Sequence, residues 1–312
     1  MDVLSSILLQ TNRYVSPIIM IFGTFSNICN LLIFSSRILR SNPCSKYFFF
    51  QAIINLCYLY FTVLFQLLGD GYNFDIKLKS YIICKLFYYF ASVIRQCSAF
   101  FLLLVCLDRY ASSLSSSTSI FKKINQKEIV KYIILITIIL SLILYIHGPI
   151  IFDLINIQIG PTFFILVCAI SNSDLNLFTS VHLTLVYTIL TPSLMLLFGL
   201  LTLRNVVKRR QQILPSEIDK TLRRQRGRQM IRLMIVQTFI FIIFVLPLTV
   251  ACFISSFVPI TKINQIMQIN LVKLASIFAY FNMINSLYLN TFTSTIYRRE
   301  GLKILKFVWR DK

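Results

Sequence analysis

Cys84 lies twenty-five residues before Arg109, and the stretch between them is largely apolar. At about 1.5 Å of rise per residue, a helix joining the two runs about 37 Å, enough to cross a bilayer core with both ends wet. One end then carries a thiol able to bridge to another loop. The other carries Asp108-Arg109-Tyr110, an acid beside a base. An arginine at such a rim is costly to desolvate, so it must be paired or wet. Held by Asp108 it is quiet; released, its guanidinium can donate to backbone carbonyls of a docking helix. The plainer reading is that Asp108-Arg109 only marks a membrane edge.

A second candidate sits between them. Arg95 precedes Arg109 by fourteen residues, just under four turns, so both project within about 40° of one another. It lies about 16 Å below Cys84 along the axis, and an unpaired arginine at that depth is a functional-site candidate. Gln96, His182 and Tyr280 are the residues expected to join it. Together they suit a carboxylate or a peptide terminus. The competing reading is an internal network of Arg95 with Asn282 or Asn285. His182 taken alone reads as an ordinary satisfied polar side chain. No nucleophile–base set, phosphate loop or cysteine–histidine cluster appears, so no enzyme, metal or cofactor is expected.

These positions need elements to hold them, and the composition says which. Of 312 residues, 57% are hydrophobic and 13% charged, where a globular domain carries about 25% charged. The apolar residues form seven blocks of about 20 or more: 15–36, 47–68, 82–105, 129–151, 180–203, 231–257 and 266–292. Lys85 and Arg95 make the third the least clean. The run 133–143 is β-branched enough for a buried strand, but such a long uncharged run exceeds most strands. Spanning helices satisfy their own backbone groups, so the expected fold is an all-α membrane protein. It is a seven-transmembrane helix bundle in a single domain over 1–312, with a short amphipathic helix at about 295–309. No internal repeat or heptad run is present.

Charge orients the chain. Twenty-four of the 31 basic residues fall on one side, in the loops after the first, third and fifth blocks, at the block edges beside them, and beyond the seventh. With the acids counted, that side carries a net +18 and the other is near neutral. By the positive-inside rule the basic side faces the cytoplasm and the N-terminus is outside. The clusters Lys208-Arg209-Arg210 and Arg223-Arg224-Gln225-Arg226 resemble nucleic-acid patches, but here they are tethered between membrane helices. They fit anionic lipid or a cytosolic partner, and nucleic acid is excluded. The segment before residue 15 does not read as a cleavable signal, so the first helix is expected to direct insertion. The expected location is the plasma membrane, multi-pass.

With those residues in place, the chain resembles the rhodopsin-like (class A) G-protein-coupled receptors along essentially its whole length. The family's third helix begins with a disulfide cysteine and ends in Asp/Glu-Arg-Tyr at this separation, matched by Cys84 and Asp108-Arg109-Tyr110. The second outer loop supplies the partner thiol, which the resemblance assigns to Cys168. Such a bridge would tie a hairpin-like loop over the bundle mouth. Asn27 matches the helix-one Asn, with Ser26 in place of the usual Gly. Pro192 matches the central proline of helix five, and Phe241 and Pro247 match helix six. Phe244 and Val245 replace that helix's Cys and Trp. Pro192 and Pro247 each remove a helix hydrogen bond and permit kinks, static or moving.

The departures mark a divergent member, of the kind expected in an expanded invertebrate receptor set. Counting from Asn55 puts Tyr60 where the family has a sodium-holding Asp, so that ion site is expected to be lost. Helix seven offers Asn285-Ser286-Leu287-Tyr288 in place of Asn-Pro-x-x-Tyr. Where many members carry a Glu that restrains the helix-three Arg, this chain has Gly227 between Arg226 and Arg228. That second restraint is expected to be absent, and basal activity to be appreciable. Ala91 replaces the Asp of amine receptors, and Lys273 is more than a turn from the retinal-binding position. Cys44 reads as a bland loop thiol or a palmitoylation site.

The resemblance implies a receptor for an extracellular ligand, acting on a heterotrimeric G protein; Arg95 suits a ligand that is a peptide or a small, anionic molecule. The alternatives are a seven-helix transporter or a ligand-gated chemosensory channel. Transporters favour repeated halves and Gly/Pro-broken paired helices, and only 8 glycines are present. Insect-type chemosensory channels have the opposite orientation, against the charge count.

Overall fold

The structure is a computed structural model that describes residues 3–40, 42–114, 128–158, 164–211, 218–257, 262–293 and 295–310. Among the described residues, seven helices are long and apolar enough to cross a membrane. They are α1 (Leu4–Phe34), α2 (Pro43–Gly71), α3 (Tyr81–Ser113), α4 (Ile129–Ile151), α5 (Ser173–Lys208), α6 (Ile235–Phe257) and α7 (Met267–Phe292). Helix α8 follows at Thr295–Arg310. Between α4 and α5, β1 (Phe152–Gln158) pairs antiparallel with β2 (Phe164–Ile170). That hairpin is the one departure from an all-helical chain among the described residues. The β-branched run 133–143 is helical, as its length required.

The bundle packs apolar cores with polar groups set among them, and its outer face is apolar. Asn27, Asn55, Gln96 and Asp108 are buried, while Ile18, Phe22, Phe25, Leu135, Ile139, Phe239, Ile243 and Val250 are exposed. In water that arrangement would expose a large apolar surface; in hydrocarbon it costs nothing.

Several helices outrun their apolar blocks. α5 begins at Ser173, seven residues before the expected span, because Asn172 caps it by accepting from the Asp174 amide at 2.8 Å. Helix α6 is continuous from Ile218, so it projects well beyond the apolar block at its basic end. Asn42 and Pro43 start α2, a side-chain cap followed by proline in the first turn.

The kink at Pro192 has a definite form. The chain widens into a π-helix over Thr184–Leu190 just before the proline. The Val186 carbonyl accepts both the Thr191 backbone N–H, in the wider π pattern, and the Thr191 hydroxyl at 2.7 Å, which holds the turn in place. Pro247 lies inside a helix that runs on without a break.

Candidate functional site

The inner polar layer is built around Asn27. Its Nδ2 donates to the carbonyls of Gly23 at 2.8 Å and Met283 at 2.9 Å. Asn55 donates to Asn27 Oδ1 at 3.3 Å and accepts from the Ser98 hydroxyl at 2.6 Å. Ser26, standing where the family has Gly, donates to the Ile284 carbonyl at 2.7 Å. Three helices and the 3-10 turn of α7 are therefore joined by amides and hydroxyls alone.

This corrects the reading of Tyr60. The buried position facing Asn27 and Ser98 belongs to Asn55, and Tyr60 is 48% exposed against Thr24. Counting forward from Asn55 misjudged which residue faces inward. Asn55 brings an amide to that position.

Asp108-Arg109-Tyr110 closes α3. Arg109 Nη2 lies 3.0 Å from Asp108 Oδ2, whose side chain is only 3% exposed. The same Nη2 donates to Asn42 Oδ1 at 3.1 Å. Tyr110 packs its ring 5.6 Å from Phe198 of α5. Nearby, Asn205 of α5 donates to the Ser113 hydroxyl at 2.9 Å. The arginine is thus held by α3 and by the start of α2. Arg226 and Arg228 lie on α6, but their side chains are outside the described residues, as is any statement of what stands opposite Gly227. Cys44 is 2% exposed beneath this site, which argues against its acylation and corrects the loop-thiol reading.

At the opposite end the chain forms the disulfide Cys84–Cys168, with Cα atoms 5.8 Å apart. Cys168 lies on β2 opposite Leu154 of β1, so the bridge fastens the hairpin to the start of α3. Stacking of Tyr88 on Phe152, 4.3 Å between centroids, supports the same junction.

Arg95 lies inside the bundle amid phenols. Its guanidinium stands 5.3 Å from the centroid of the Tyr187 ring and is within hydrogen-bonding reach of the Tyr58 and Tyr145 hydroxyls. These tyrosines come from α5, α2 and α4. Among the described residues, the groups acting on Arg95 are phenols and the Cys252 thiol, with no carboxylate. Neither Asn282 nor Asn285 is among the groups that act on it, so the competing network with those two asparagines is not formed. Arg95 Nε, the Tyr187 hydroxyl and His182 Nδ1 are all buried with no hydrogen-bond partner.

The other expected pocket residues divide. Gln96 is fully buried and turned toward α4 and α5, accepting from Tyr145 at 3.1 Å and donating to Thr191 at 3.3 Å. It accepts from Tyr145 and so orients that phenol. Tyr280 is 2% exposed, donates to Gln66 and stacks edge-on with Tyr58. His182 packs edge-on against Tyr145 at 5.2 Å. Lys273, excluded as a retinal anchor, pairs with Asp70 of α2 at 2.7 Å.

Phe241 is 4% exposed and packs 5.3 Å from Tyr187, below Arg95, with Val245 fully buried beside it. Tyr288 does not reach the interior; it is 38% exposed, and this corrects its expected role as a switch. Asn285 keeps Nδ2 buried and unpartnered. A buried tyrosine that does bond across helices at this end is Tyr297 of α8, which donates to Asn30 of α1. Burial pushes its phenol up, so it remains a neutral donor.

Seven membrane-crossing helices, a disulfide between α3 and the following hairpin, and an ion-paired Asp-Arg-Tyr at the far end of α3 define a class of membrane receptor. Residues 26–288 match the 7 transmembrane receptor (rhodopsin family). The chain belongs to that family, and it is a multi-pass membrane receptor with a role in G-protein-coupled signalling. Members of the family are generally not enzymes. A search of the curated proteins finds no match.

Proposed function

We propose that the 312 residues form one receptor domain with the disulfide end outside the cell and the Asp108-Arg109-Tyr110 end in the cytosol. The distribution of Lys and Arg supports this orientation. In this reading an extracellular small molecule or peptide bearing an acidic group enters beneath the hairpin and pairs with Arg95. The receptor then releases Arg109 to a heterotrimeric G protein.

One observation carries the ligand class: a guanidinium inside the bundle, enclosed by Tyr58, Tyr145 and Tyr187, with no carboxylate among the described groups that act on it. A buried cation without a counter-ion is costly, and phenols offset only part of that cost. An incoming carboxylate completes the pair. It also gives the orphaned Tyr187 hydroxyl an acceptor.

The test is a screen of acidic metabolites and peptides for stimulated guanine-nucleotide exchange, followed by Arg95→Gln. A hit whose potency falls at least 30-fold in the variant supports the reading, since a charged hydrogen-bonded contact is worth about 2 kcal/mol or more. Unchanged potency of every hit removes Arg95 as the contact.

A further inference from the structure

The chain has two histidines, 35 positions apart in sequence, and the fold places them against each other. His147 follows the end of the regular α4 helix, and His182 lies on α5 two turns and a half past its cap. Their ring centroids are 4.9 Å apart, with planes at 81°. Both are part-buried, and Tyr145 and Phe178 wall the pair in, each within about 6 Å of both rings.

The two imidazoles have complementary hydrogen bonding. His147 is hydrogen-bonded to the Leu144 carbonyl, which fixes an N–H on one ring nitrogen and leaves the other with a free lone pair. Ligand imidazoles are commonly oriented in this way, the second nitrogen donating to a backbone carbonyl. His182 Nδ1 is buried and has no partner at all. No carboxylate acts on either ring among the described residues. A histidine pair placed for electrostatics would need such a partner.

We propose that His147 and His182 form a two-histidine binding site for a divalent transition-metal ion, of the zinc or copper type. A tetrahedral ion with nitrogen ligands at about 2.0–2.1 Å holds two imidazole centroids about 5 Å apart, matching the separation here. The χ2 torsion of histidine is soft, so in this proposal the rings turn to present one nitrogen each to a common ion. Paired imidazoles select zinc, copper or nickel over magnesium and calcium, which prefer oxygen. The remaining coordination positions fall to water, so the affinity is weaker than that of a four-ligand structural zinc site. Among the described residues no third cysteine, histidine or acid joins the pair.

A bound ion would fasten α4 to α5 beside Tyr145, whose hydroxyl donates to Gln96, the neighbour of Arg95. Metal occupancy and ligand pairing are then coupled through one tyrosine.

The test uses the full chain purified without a polyhistidine tag, in lipid nanodiscs. Zinc titrated by calorimetry should bind at one ion per chain, and copper should give an electron-paramagnetic spectrum with splitting from two nitrogens. His147→Gln and His182→Gln should each weaken zinc at least ten-fold, the scale of losing a ligand or its support. His147→Cys retains a metal ligand and should retain zinc, which separates ligation from folding. Zinc uptake by wild type no greater than by the His147→Gln/His182→Gln double variant overturns the proposal. So does a copper spectrum with one nitrogen.

Discussion

The Oδ1 atom of Asn42 accepts from two donors at once: the Cys44 amide at 3.3 Å, which caps α2, and Arg109 Nη2 at 3.1 Å. One oxygen therefore starts a helix and holds the arginine that the proposed mechanism releases. The expectation of appreciable basal activity was argued from Gly227 alone and did not weigh this contact.

Asn42→Ser separates the two roles. Serine caps nearly as well as asparagine, so thermal stability should hold, but the shorter side chain falls short of Arg109. Loss of a part-exposed contact worth about 1 kcal/mol shifts the inactive-to-active ratio about five-fold. Ligand-free nucleotide exchange should rise accordingly. Equal basal exchange in wild type and variant would mean that Asn42 does not restrain the arginine.

Tyr187→Phe separates structure from ligand recognition. The hydroxyl it removes is buried and unpartnered, so the ligand-free receptor should be unchanged or about 1 kcal/mol more stable. Potency of an acidic ligand should fall, because an acceptor's donor is gone. A melting temperature that drops with potency unchanged would assign the hydroxyl to packing.

Lys273–Asp70 joins α7 to α2 near the hairpin end, with Asp70 7% exposed and Lys273 31% exposed. Removing the lysine leaves a buried carboxylate without its partner, the costly way to break such a pair. Lys273→Met should lower the melting temperature, and Lys273→Met with Asp70→Asn should recover most of the loss. An equal loss in both variants would show that the lysine acts through its stem.

Cys168→Ser frees β2 from α3. The hairpin would keep its own ladder but lose its anchor, so ligand potency and surface expression should fall while helix content by circular dichroism stays constant. Wild-type potency in the variant would show that the bridge does not shape the entry.

What the residues disclosed in advance follows from the range of each signal. Span number and type were legible because lipid forces long uncharged blocks, and the Cys84–Arg109 spacing measures one such block. The disulfide was legible through a resemblance. The surroundings of Arg95 were not: Tyr58, Tyr145 and Tyr187 come from three helices, and no periodicity predicts that they converge. Asn42-Pro43 did carry a helix-start signal, yet nothing local shows that the cap also reaches Arg109. Asn55 was misjudged for Tyr60 because a count of five along a motif does not return to the same helix face, and the π-helical segment of α2 that begins at Leu59 shifts the phase further. Tyr288 was assigned inward by motif, while its helix turns it outward.

The central claim is that this receptor signals by releasing Arg109 to a G protein on the cytosolic side. The direct measurement is ligand-free guanine-nucleotide exchange on a panel of purified G proteins, using wild type, Asn42→Ser and Arg109→Ala in nanodiscs. The account predicts exchange by wild type on at least one G protein, faster exchange by Asn42→Ser and none above background by Arg109→Ala. Exchange by Arg109→Ala equal to wild type, or none by Asn42→Ser across the panel, would contradict it.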